Sequence, residues 1–585
     1  MLCVVAFVQR TLEDCRWALK VDENCVKAAV LEGRAYVGLK QYDTAIECYK
    51  NARQMDVRKE SIINAYIDRA RIRRDAERAE QTAGQTSEAS HETGLVSILT
   101  KVKQPDQQVV YYIGGLEVIR RKLCDSVSRT LFRSSGGFEL ADCHCEISRC
   151  LSCRPADLNQ SQVELTAVYL TVLLEACVDN DDNQCQVLDI KHLPHQLMTF
   201  IECLPQVPAC HDIASAGVNL LLYLSQTARN RSQIVMKYDS VRLMSAAFVL
   251  AQRLPTSSVA VNIQRLICNL AITDRLRREL RDDFEQTVVS SFNSLLRSDS
   301  LADTVGPAVI VKTMVNLCGD EWLRRRLSNN HTTWSACINA LTTLVDHQST
   351  HLVSVLISLL ANMAIDGTSS AAERDLTQLC GSCTDLVTQL PASDSPQLVD
   401  QCYLLLSRVL RVNSQCVEPA VCKQLINATS RDLNHLLCHQ DRHVDDDGDS
   451  LLRHCLAAMT ACTLHSDVSR QHLSDVTPSI IRHLVHIITC HQSYDDVIIG
   501  NAALCLSHCV YLPSAIGQLT AAAGDDTDII MSLLVLARDQ AKPTVQHNCA
   551  ILIAKLVSQH ERYLDRLRQL HGLEILHTVL THVKQ

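Results

Sequence analysis

The sequence predicts an all-α protein with an α-α superhelix architecture, in which a partial tetratricopeptide repeat unit precedes an armadillo- or HEAT-like solenoid. Two observations predict this fold. A helix-ending motif recurs every 46 to 53 residues along most of the chain, and the 585 residues include only 18 glycines and 13 prolines. Both residue types interrupt helices and together make up about 12 % of an average protein. Their scarcity therefore favours helices throughout.

Each copy of the motif is a short apolar helix end followed by small polar residues and a charged turn, as in LICNLAIT around Leu270 and TMVNLCGD around Leu317. A fixed period in the forties is typical of armadillo and HEAT repeats. Such units cannot bury their apolar faces alone, so they stack and offer one long surface to partners. The pattern predicts a solenoid over residues 95–585. The anchor residues of the copies are Ala176, Leu224, Leu270, Leu317, Met363, Leu410, Thr463, Cys509 and Leu556.

A second periodicity lies near the N-terminus. Residues 26–57 place Gly33, Tyr36, Ala45 and Tyr49 at the spacing of the small and aromatic positions in a 34-residue tetratricopeptide unit. Small residues at these positions let two antiparallel helices approach, and the tyrosines fill the space between them. The sequence therefore predicts one such unit here.

The flanking segments complete the predicted organisation. Residues 12–24 are typical of the second helix of a preceding unit, so we expect the chain to begin inside a tetratricopeptide array. Residues 60–80 fit a capping helix, and residues 81–94 are polar, as in a flexible linker. The expected segments are 1–80, a partial tetratricopeptide region with its capping helix, 81–94, a polar linker, and 95–585, the armadillo-like solenoid.

Bulk composition restricts the classes of partner. The net charge is −9 and the chain has no large basic block, so we expect no nucleic-acid partner, because phosphate affinity comes from clustered lysines and arginines. No apolar run reaches 18 residues, which argues against a membrane span. The 28 cysteines are scattered along apolar helix faces, where free thiols behave as small hydrophobes. We therefore expect a protein of the reducing cytoplasm.

Four cysteines stand close together in the pattern C-x-C-x4-C-x2-C, at Cys143, Cys145, Cys150 and Cys153. Four thiolates could hold a structural zinc ion. Zinc modules usually separate their two ligand pairs by a loop of about ten residues or more, whereas this gap is much shorter. We predict no metal and no cofactor, and the sequence leaves the zinc alternative for this cluster open.

Several stretches carry a family resemblance: YYIGGLEVI at 111–119, LFRSSGGF at 131–138, GNAALCLSHC at 500–509 and LRQLHGLEIL at 567–576. With the order of tetratricopeptide unit, linker and armadillo-like repeats, the chain resembles a family of proteins that assemble axonemal dyneins. The resemblance implies a cytoplasmic factor that helps to pre-assemble dynein arms for motile cilia, alongside the chaperones Hsp70 and Hsp90. It also implies that the protein partners are dynein arm subunits or other assembly factors.

Three asparagines form the main candidate site. Asn269, Asn316 and Asn362 each stand one residue before the anchor of their repeat, so a solenoid is expected to stack them in a row. An amide both donates and accepts hydrogen bonds, which suits the backbone of an extended peptide. This row predicts a peptide-binding groove. The alternative is that the amides connect neighbouring helices. The positions four residues earlier hold Arg265, Lys312 and Ser358 instead of the tryptophans of nuclear-import receptors.

A weaker candidate lies in the tetratricopeptide unit. Lys27 occupies a position that contacts chaperone C-termini in clamp-type repeats, whereas the position four residues later is Leu31. Arg34 lies on a nearby turn and could substitute for the missing arginine. Lys27 and Arg34 therefore predict a possible contact for a chaperone tail, and a solvated lysine is the alternative.

The predicted function is that of a non-enzymatic scaffold. The sequence contains no phosphate-binding loop, no Gly-x-Ser-x-Gly and no His-Glu-x-x-His motif, so no catalytic residues are predicted. One alternative is a general Hsp70/Hsp90 co-chaperone or a peptide-binding transport adaptor. Another is an enzyme whose residues meet only through tertiary contacts, for which a buried carboxylate or histidine pair in a pocket would be evidence.

Overall fold

The fold was analysed in a computed structural model. It describes residues 2–56, 60, 63–64, 66–67, 70–71, 74, 92–207, 210–297, 306–346, 350–367, 371–412, 418–438, 446–476, 478–523, 529–539 and 541–583. Of the residues that the structure describes, 83 % are helical, and none lies in a β-strand. The predicted all-α superhelical fold is confirmed. None of the described helices is both long and apolar enough to cross a membrane.

The chain forms two compact units. The first comprises residues 1–246 and 257–270, and the second comprises residues 247–256 and 271–585. Each unit is a stack of helical repeats. Most of the predicted linker lies outside the described residues, and the helix that follows it begins at Glu92.

The tetratricopeptide region contains α1 (Leu2–Val21), α2 (Val26–Gly38) and α3 (Tyr42–Met55). The close approach of α2 and α3 explains the glycine at position 33, since a Cβ atom there would lie 2.5 Å from Cε1 of Tyr49. Tyr49 is buried and stacks on Tyr66 with ring centroids 5.6 Å apart. The small and aromatic positions therefore pack as the sequence predicts.

The first unit continues with eleven further described helices, and a twelfth begins in it and ends in the second unit. They are α4 (Glu92–Val102), α5 (Val109–Lys122), α6 (Ser126–Ser134), α7 (Leu140–Cys143), α8 (Cys145–Ser152), α9 (Gln160–Cys177), α10 (Asp181–Asp189), α11 (Leu193–Cys203), α12 (His211–Leu224), α13 (Ala228–Lys237), the shared α14 (Ser240–Arg253) and α15 (Ser258–Leu270).

The second unit repeats the same pattern of shorter helices followed by a long one. A single π-helical segment, Phe284–Val289, precedes α17. The helices are α16 (Asp274–Glu279), α17 (Ser290–Leu296), α18 (Gly306–Leu317), α19 (Glu321–Ser328), α20 (His331–Asp346), α21 (Thr350–Met363), α22 (Glu373–Gln389), α23 (Pro396–Val412), α24 (Pro419–Cys438), α25 (Asp446–His465), α26 (Asp467–Val476), α27 (Pro478–Thr489), α28 (Asp496–Cys509), α29 (Pro513–Ala523), α30 (Ile529–Arg538), α31 (Pro543–Gln559), α32 (Glu561–Gln569) and α33 (Gly572–Val583).

The last helix of each repeat lies beside the last helix of the next and forms a layer, which we call the third-helix layer. In the first unit the layer is α9, α12 and α15, and in the second it is α18, α21, α23, α25, α28 and α31. The anchors Ala176, Leu270, Leu317 and Leu556 are 0 or 1 % exposed. The recurring motif therefore marks the buried ends of the helices in this layer.

Polar side chains seven residues after an anchor bind back to the end of the preceding third helix. Arg277 Nε donates to the Ala271 carbonyl at 3.0 Å, and Asn183 Nδ2 donates to the Ala176 carbonyl at 2.7 Å. The last carbonyls of a helix lack partners within it and carry a partial negative charge, so these donors close the helix ends. Five residues at this position donate in this way: Asn183, Arg231, Arg277, Arg324 and Arg470.

Candidate functional site

The third-helix layer carries all three asparagines of the predicted groove, near the C-terminal ends of their helices. Asn316 and Asn362 are each the residue before the last in their helices, α18 and α21, and these two helices pack against each other in the second unit. Asn269 lies at the end of α15 in the first unit. All three side chains are half-buried. The structure therefore places Asn316 and Asn362 on adjacent helices of one layer.

Asn269 takes part in a contact between two helices. Its Nδ2 donates to Oγ of Ser225 at 2.9 Å, and Ser225 is fully buried directly after α12. This bond connects α15 to α12, which is the alternative role that the sequence leaves open for these amides. The same residue can still present its amide oxygen to a ligand, since an amide offers two donors and an acceptor.

Arginines fix the backbone around the other two asparagines. Arg277 Nη2 donates to the Asn316 carbonyl at 2.8 Å. Arg408 Nη1 donates to the carbonyl of Ala361, the residue before Asn362, at 2.6 Å. Burial and the neighbouring Arg324 lower the pKa of Arg408. These bonds hold the helix ends in place, so the positions of both asparagine side chains are set by a rigid support.

The positions four residues before the asparagines differ among themselves. Arg265 and Lys312 are exposed, whereas Ser358 is half-buried and donates to Oε1 of Gln401 on the next third helix at 3.0 Å. None of the three offers an aromatic face to a peptide. The structure thus gives no basis for a groove of the nuclear-import type.

The candidate contact for a chaperone tail, formed by Lys27 and Arg34, lies beside a cleft of about 420 Å³ within the first unit. Lys27 and Arg34 are both exposed on α2, about two helical turns apart, with Leu31 between them. Only Arg34 of the two lines the cleft, together with Val37, Gly38, Tyr49, Tyr66, Ala70 and Asp181. The arrangement offers one arginine beside two aromatic rings.

The histidine between the clustered cysteines has a structural role. His144 is 5 % exposed, its Nδ1 accepts hydrogen bonds from the backbone N–H groups of Glu146 and Ile147, and its Nε2 donates to the Val102 carbonyl at 3.0 Å. Both ring nitrogens are therefore occupied: Nδ1 caps the start of α8, and Nε2 binds the last residue of α4. Burial lowers the pKa of His144, which keeps the ring neutral.

Two of the four clustered cysteines, Cys150 and Cys153, have side chains that the structure describes. The side chains of Cys143 and Cys145 lie outside the described residues. Cys150 is fully buried, and burial raises the pKa of its thiol to about 11, which disfavours the thiolate that binds zinc. Among the side chains that the structure describes, no three metal-ligating residues meet in a possible ion site.

One carboxylate–histidine pair in the second unit bears on the enzyme alternative. Asp400 Oδ1 lies 2.6 Å from His454 Nδ1, and Asp400 Oδ2 accepts a hydrogen bond from Ser450 Oγ at 3.2 Å. In a hydrolase triad the histidine lies between the serine and the carboxylate. Here the carboxylate lies between the other two, so the geometry connects α23 to α25 and does not activate the serine.

A second cleft, of about 250 Å³, opens in the second unit near the N-terminal ends of α28 and α31. We call it the Arg411 cleft. Arg411 Nη2 donates to Oδ1 of Asn501 at 3.3 Å, and Asn548 Nδ2 donates to the Gly500 carbonyl at 2.9 Å. The lining also includes Asp496, Val497, Lys542, Pro543 and Val545. This cleft was not predicted from the sequence, although Asn501 and Asn548 each stand eight residues before an anchor.

Known proteins are similar to this chain along almost its whole length. The chain is 26 % identical to tetratricopeptide repeat protein 12 of Mus musculus over 581 residues, which is 98 % of this chain and 78 % of the mouse protein. The chain resembles tetratricopeptide repeat protein 12. The human protein of that name is also 26 % identical, over 98 % of this chain and 77 % of its own length. The resemblance that the sequence motifs indicated is therefore confirmed. No family model matches the chain.

Solved structures support the fold. One similar chain comes from work on a phosphorylation switch that controls the interaction between cadherin and beta-catenin, with a TM-score of 0.55, 13 % identity, and coverage of 90 % of this chain and 97 % of that one. The crystal structure of an engineered protein matches with a TM-score of 0.54 and 14 % identity, over 81 % of this chain and 100 % of the other. The similarity to tetratricopeptide repeat protein 12 supports a repeat scaffold or adaptor.

Proposed function

We propose that this protein is a non-enzymatic scaffold that acts in the cytoplasm in the pre-assembly of axonemal dynein arms. The main support is its similarity to tetratricopeptide repeat protein 12 along 98 % of its length, since the resemblance implies this role. The partners would be dynein arm subunits or other assembly factors. The similarity covers the tetratricopeptide and solenoid parts together, so both belong to the proposed scaffold.

The third-helix layer is the surface that would hold a client. In the proposal, an extended client segment exchanges hydrogen bonds with the amides of Asn316 and Asn362 on α18 and α21 of the second unit. The amide of Asn269, on α15 of the first unit, is proposed for the same kind of contact. The rigid arginine-bound helix ends of α18 and α21 favour this role, because groups that are already positioned lose little freedom on binding.

A triple asparagine-to-alanine variant tests the proposed groove. Each lost side-chain hydrogen bond should weaken client binding by about 0.5–1.5 kcal/mol, so the variant should lose about tenfold or more in client affinity. The melting temperature should stay close to that of the wild type. The matched control is Asn339→Ala, which changes an exposed amide on α20. A triple variant that melts far earlier, or one that captures dynein subunits normally, would remove the groove from the proposal.

Proximity labelling in ciliating cells tests the cellular role. Wild-type protein should label dynein arm subunits and their assembly factors in the cytoplasm, and the triple variant should label them less. Labelling that contains no dynein-related protein, at normal expression of the bait, would refute the assembly role.

A general co-chaperone for Hsp70 or Hsp90 is the second candidate. The cleft beside Arg34 favours it, because an exposed guanidinium next to an opening can pair with a peptide carboxylate. Peptides with the C-terminal sequences of Hsp70 and Hsp90 should bind the full chain, and Arg34→Ala and Lys27→Ala should weaken them. Lys50→Ala, an exposed change on α3, serves as the control. Binding that is equal with a free and an amidated peptide C-terminus would exclude this candidate.

A further inference from the structure

We propose that the Arg411 cleft binds an extended peptide segment that carries a glutamate or aspartate side chain. The inference rests on the proposed function only in that the ligand is part of a protein. The cleft is a different place from the asparagine row, because Asn501 and Asn548 stand about two helical turns before the ends of α28 and α31.

Two buried amides give the cleft its hydrogen-bonding pattern. Asn501 and Asn548 are each only 7 % exposed. The bond from Arg411 fixes the oxygen of Asn501, and the bond to the Gly500 carbonyl fixes the nitrogen of Asn548. Within the described part of the chain, Asn501 Nδ2 and Asn548 Oδ1 remain without partners. Neither atom is among the fully buried polar atoms that lack a partner, so both keep contact with the solvent of the cleft, where a ligand can pair with them.

The remaining donor and acceptor match one peptide backbone. An extended segment presents both carbonyl oxygens, which would accept from Asn501 Nδ2, and N–H groups, which would donate to Asn548 Oδ1. An ionised carboxylate by itself has no donor for the asparagine oxygen. The amide pair therefore points to a peptide and not to a small anion.

The charges in the cleft select an acidic side chain. Lys542 Nζ lies 2.6 Å from Asp496 Oδ1, so these two balance each other, and the Asp496 carboxylate raises the pKa of Lys542. Among the described residues of the lining, Arg411 is the remaining charge, and its partner Asn501 is a neutral amide at 3.3 Å. A carboxylate is a stronger acceptor for a guanidinium than an amide oxygen. One unbalanced positive charge also suits a monoanion better than a phosphoryl group, which carries about −1.5 to −2.

The position of Arg411 makes it accessible. It belongs to α23 but reaches Asn501 on α28, while α25 packs against both of these helices. Arg411 is itself exposed. Beside it, Val497 is 51 % exposed and, with Pro543 and Val545, offers an apolar wall. An aliphatic residue next to the acidic one would cover this wall.

A pair of matched peptides tests the inference on the full chain. The probe is a fluorescein-labelled octapeptide of alternating glutamate and valine with an amidated C-terminus, and its partner carries glutamine in place of glutamate. Fluorescence anisotropy at low salt should show that the glutamate peptide binds about tenfold more tightly, because a charged hydrogen bond replaces a neutral one. Added salt should reduce this preference.

Variants assign the preference to the cleft. Arg411→Gln should bring both peptides to the same affinity, Arg411→Lys should keep part of the preference for glutamate, and Asn501→Ala should weaken both peptides. Arg278→Gln, an exposed change on α16, a helix that contributes no residue to the lining of the cleft, should leave both affinities within about twofold. The melting temperature of each variant shows whether it is folded.

The outcomes separate this inference from the proposed function. Equal affinity of the wild type for the two peptides, or a glutamate preference that survives Arg411→Gln, would overturn the cleft assignment. Failure of both peptides to bind at millimolar concentration would also overturn the cleft assignment. If the same protein still captured dynein subunits, the proposed function would remain intact. Binding to the cleft without any capture of dynein subunits would contradict the proposed function alone.

Discussion

Replacing Arg277 with methionine should loosen the end of α18, where Asn316 lies. The Arg277 side chain is 14 % exposed and donates to the carbonyls of Ala271 and Asn316 at 3.0 and 2.8 Å. It also pairs with Asp274 at 3.1 Å. Methionine keeps most of the apolar stem and removes all three contacts, so the variant isolates the hydrogen bonds from the packing.

The magnitude follows from which contacts are buried. Asp274 is 87 % exposed, so this ion pair should contribute about 0–1 kcal/mol. A hydrogen bond from a charged donor contributes about 1.5–3 kcal/mol, but both carbonyls lie at helix ends, where water can replace part of the lost bond. We expect a local destabilisation of about 2–3 kcal/mol. This corresponds to about 30- to 150-fold faster opening of the helix end.

Native-state hydrogen exchange measured by mass spectrometry is the suitable assay, because repeat proteins open locally and do not always unfold in one step. Amides in 306–328 should lose protection in Arg277→Met. The matched control is Arg278→Met, since Arg278 is exposed and makes one long bond, of 3.3 Å, to the Asp274 carbonyl. Equal protection of 306–328 in the two variants would show that the arginine caps do not stabilise the layer.

Three further results are expected. Burial lowers the pKa of His144 below its usual value of 6.5. The contribution of His144 to the stability of the fold is therefore complete above pH 6.5 and is lost as the pH falls through the pKa of the folded state. The melting temperature of the wild type should fall more steeply between pH 7 and 5 than that of His144→Gln. Gly33→Ala should cost about 1–3 kcal/mol through overpacking against Tyr49, and exchange in 26–55 reports it; unchanged protection would contradict the packing. Iodoacetamide at pH 8 should label the exposed Cys490 and leave Cys318 intact in the folded protein, because burial raises the pKa of Cys318 to about 12; rapid labelling of Cys318, read by peptide mapping, would contradict this.

Regular features of the fold could be predicted from the sequence because they repeat. Each helix of the third-helix layer buries one face, which requires apolar residues at the same interval in every repeat. The anchors Leu270 and Leu317 therefore reveal the period directly. The tetratricopeptide unit is equally readable, because a close helix approach requires a small residue at Gly33 and a large one at Tyr49. These are local requirements, and each leaves a trace at a fixed sequence spacing.

Some polar positions had a readable signal that the sequence analysis did not use. Arg231, Arg277 and Arg324 stand at the same distance after their anchors, and this register could have predicted the helix caps. The sequence could not show what the asparagines do, since an amide at the end of a third helix can bind a neighbouring helix or a ligand equally well. The bond from Asn269 to Ser225 became visible only when the helices were packed.

The sequence by itself determined the all-α repeat architecture, the place of the tetratricopeptide unit and the register of the third helices. The tertiary structure decided which polar groups meet. Arg411 and Asn501 lie 90 residues apart, and their contact depends on how three third helices are arranged side by side. Periodicity records which face of a helix is buried, whereas a cleft depends on the angles and distances between helices. Those quantities arise from the packing of many side chains at once, and no single spacing in the sequence encodes them.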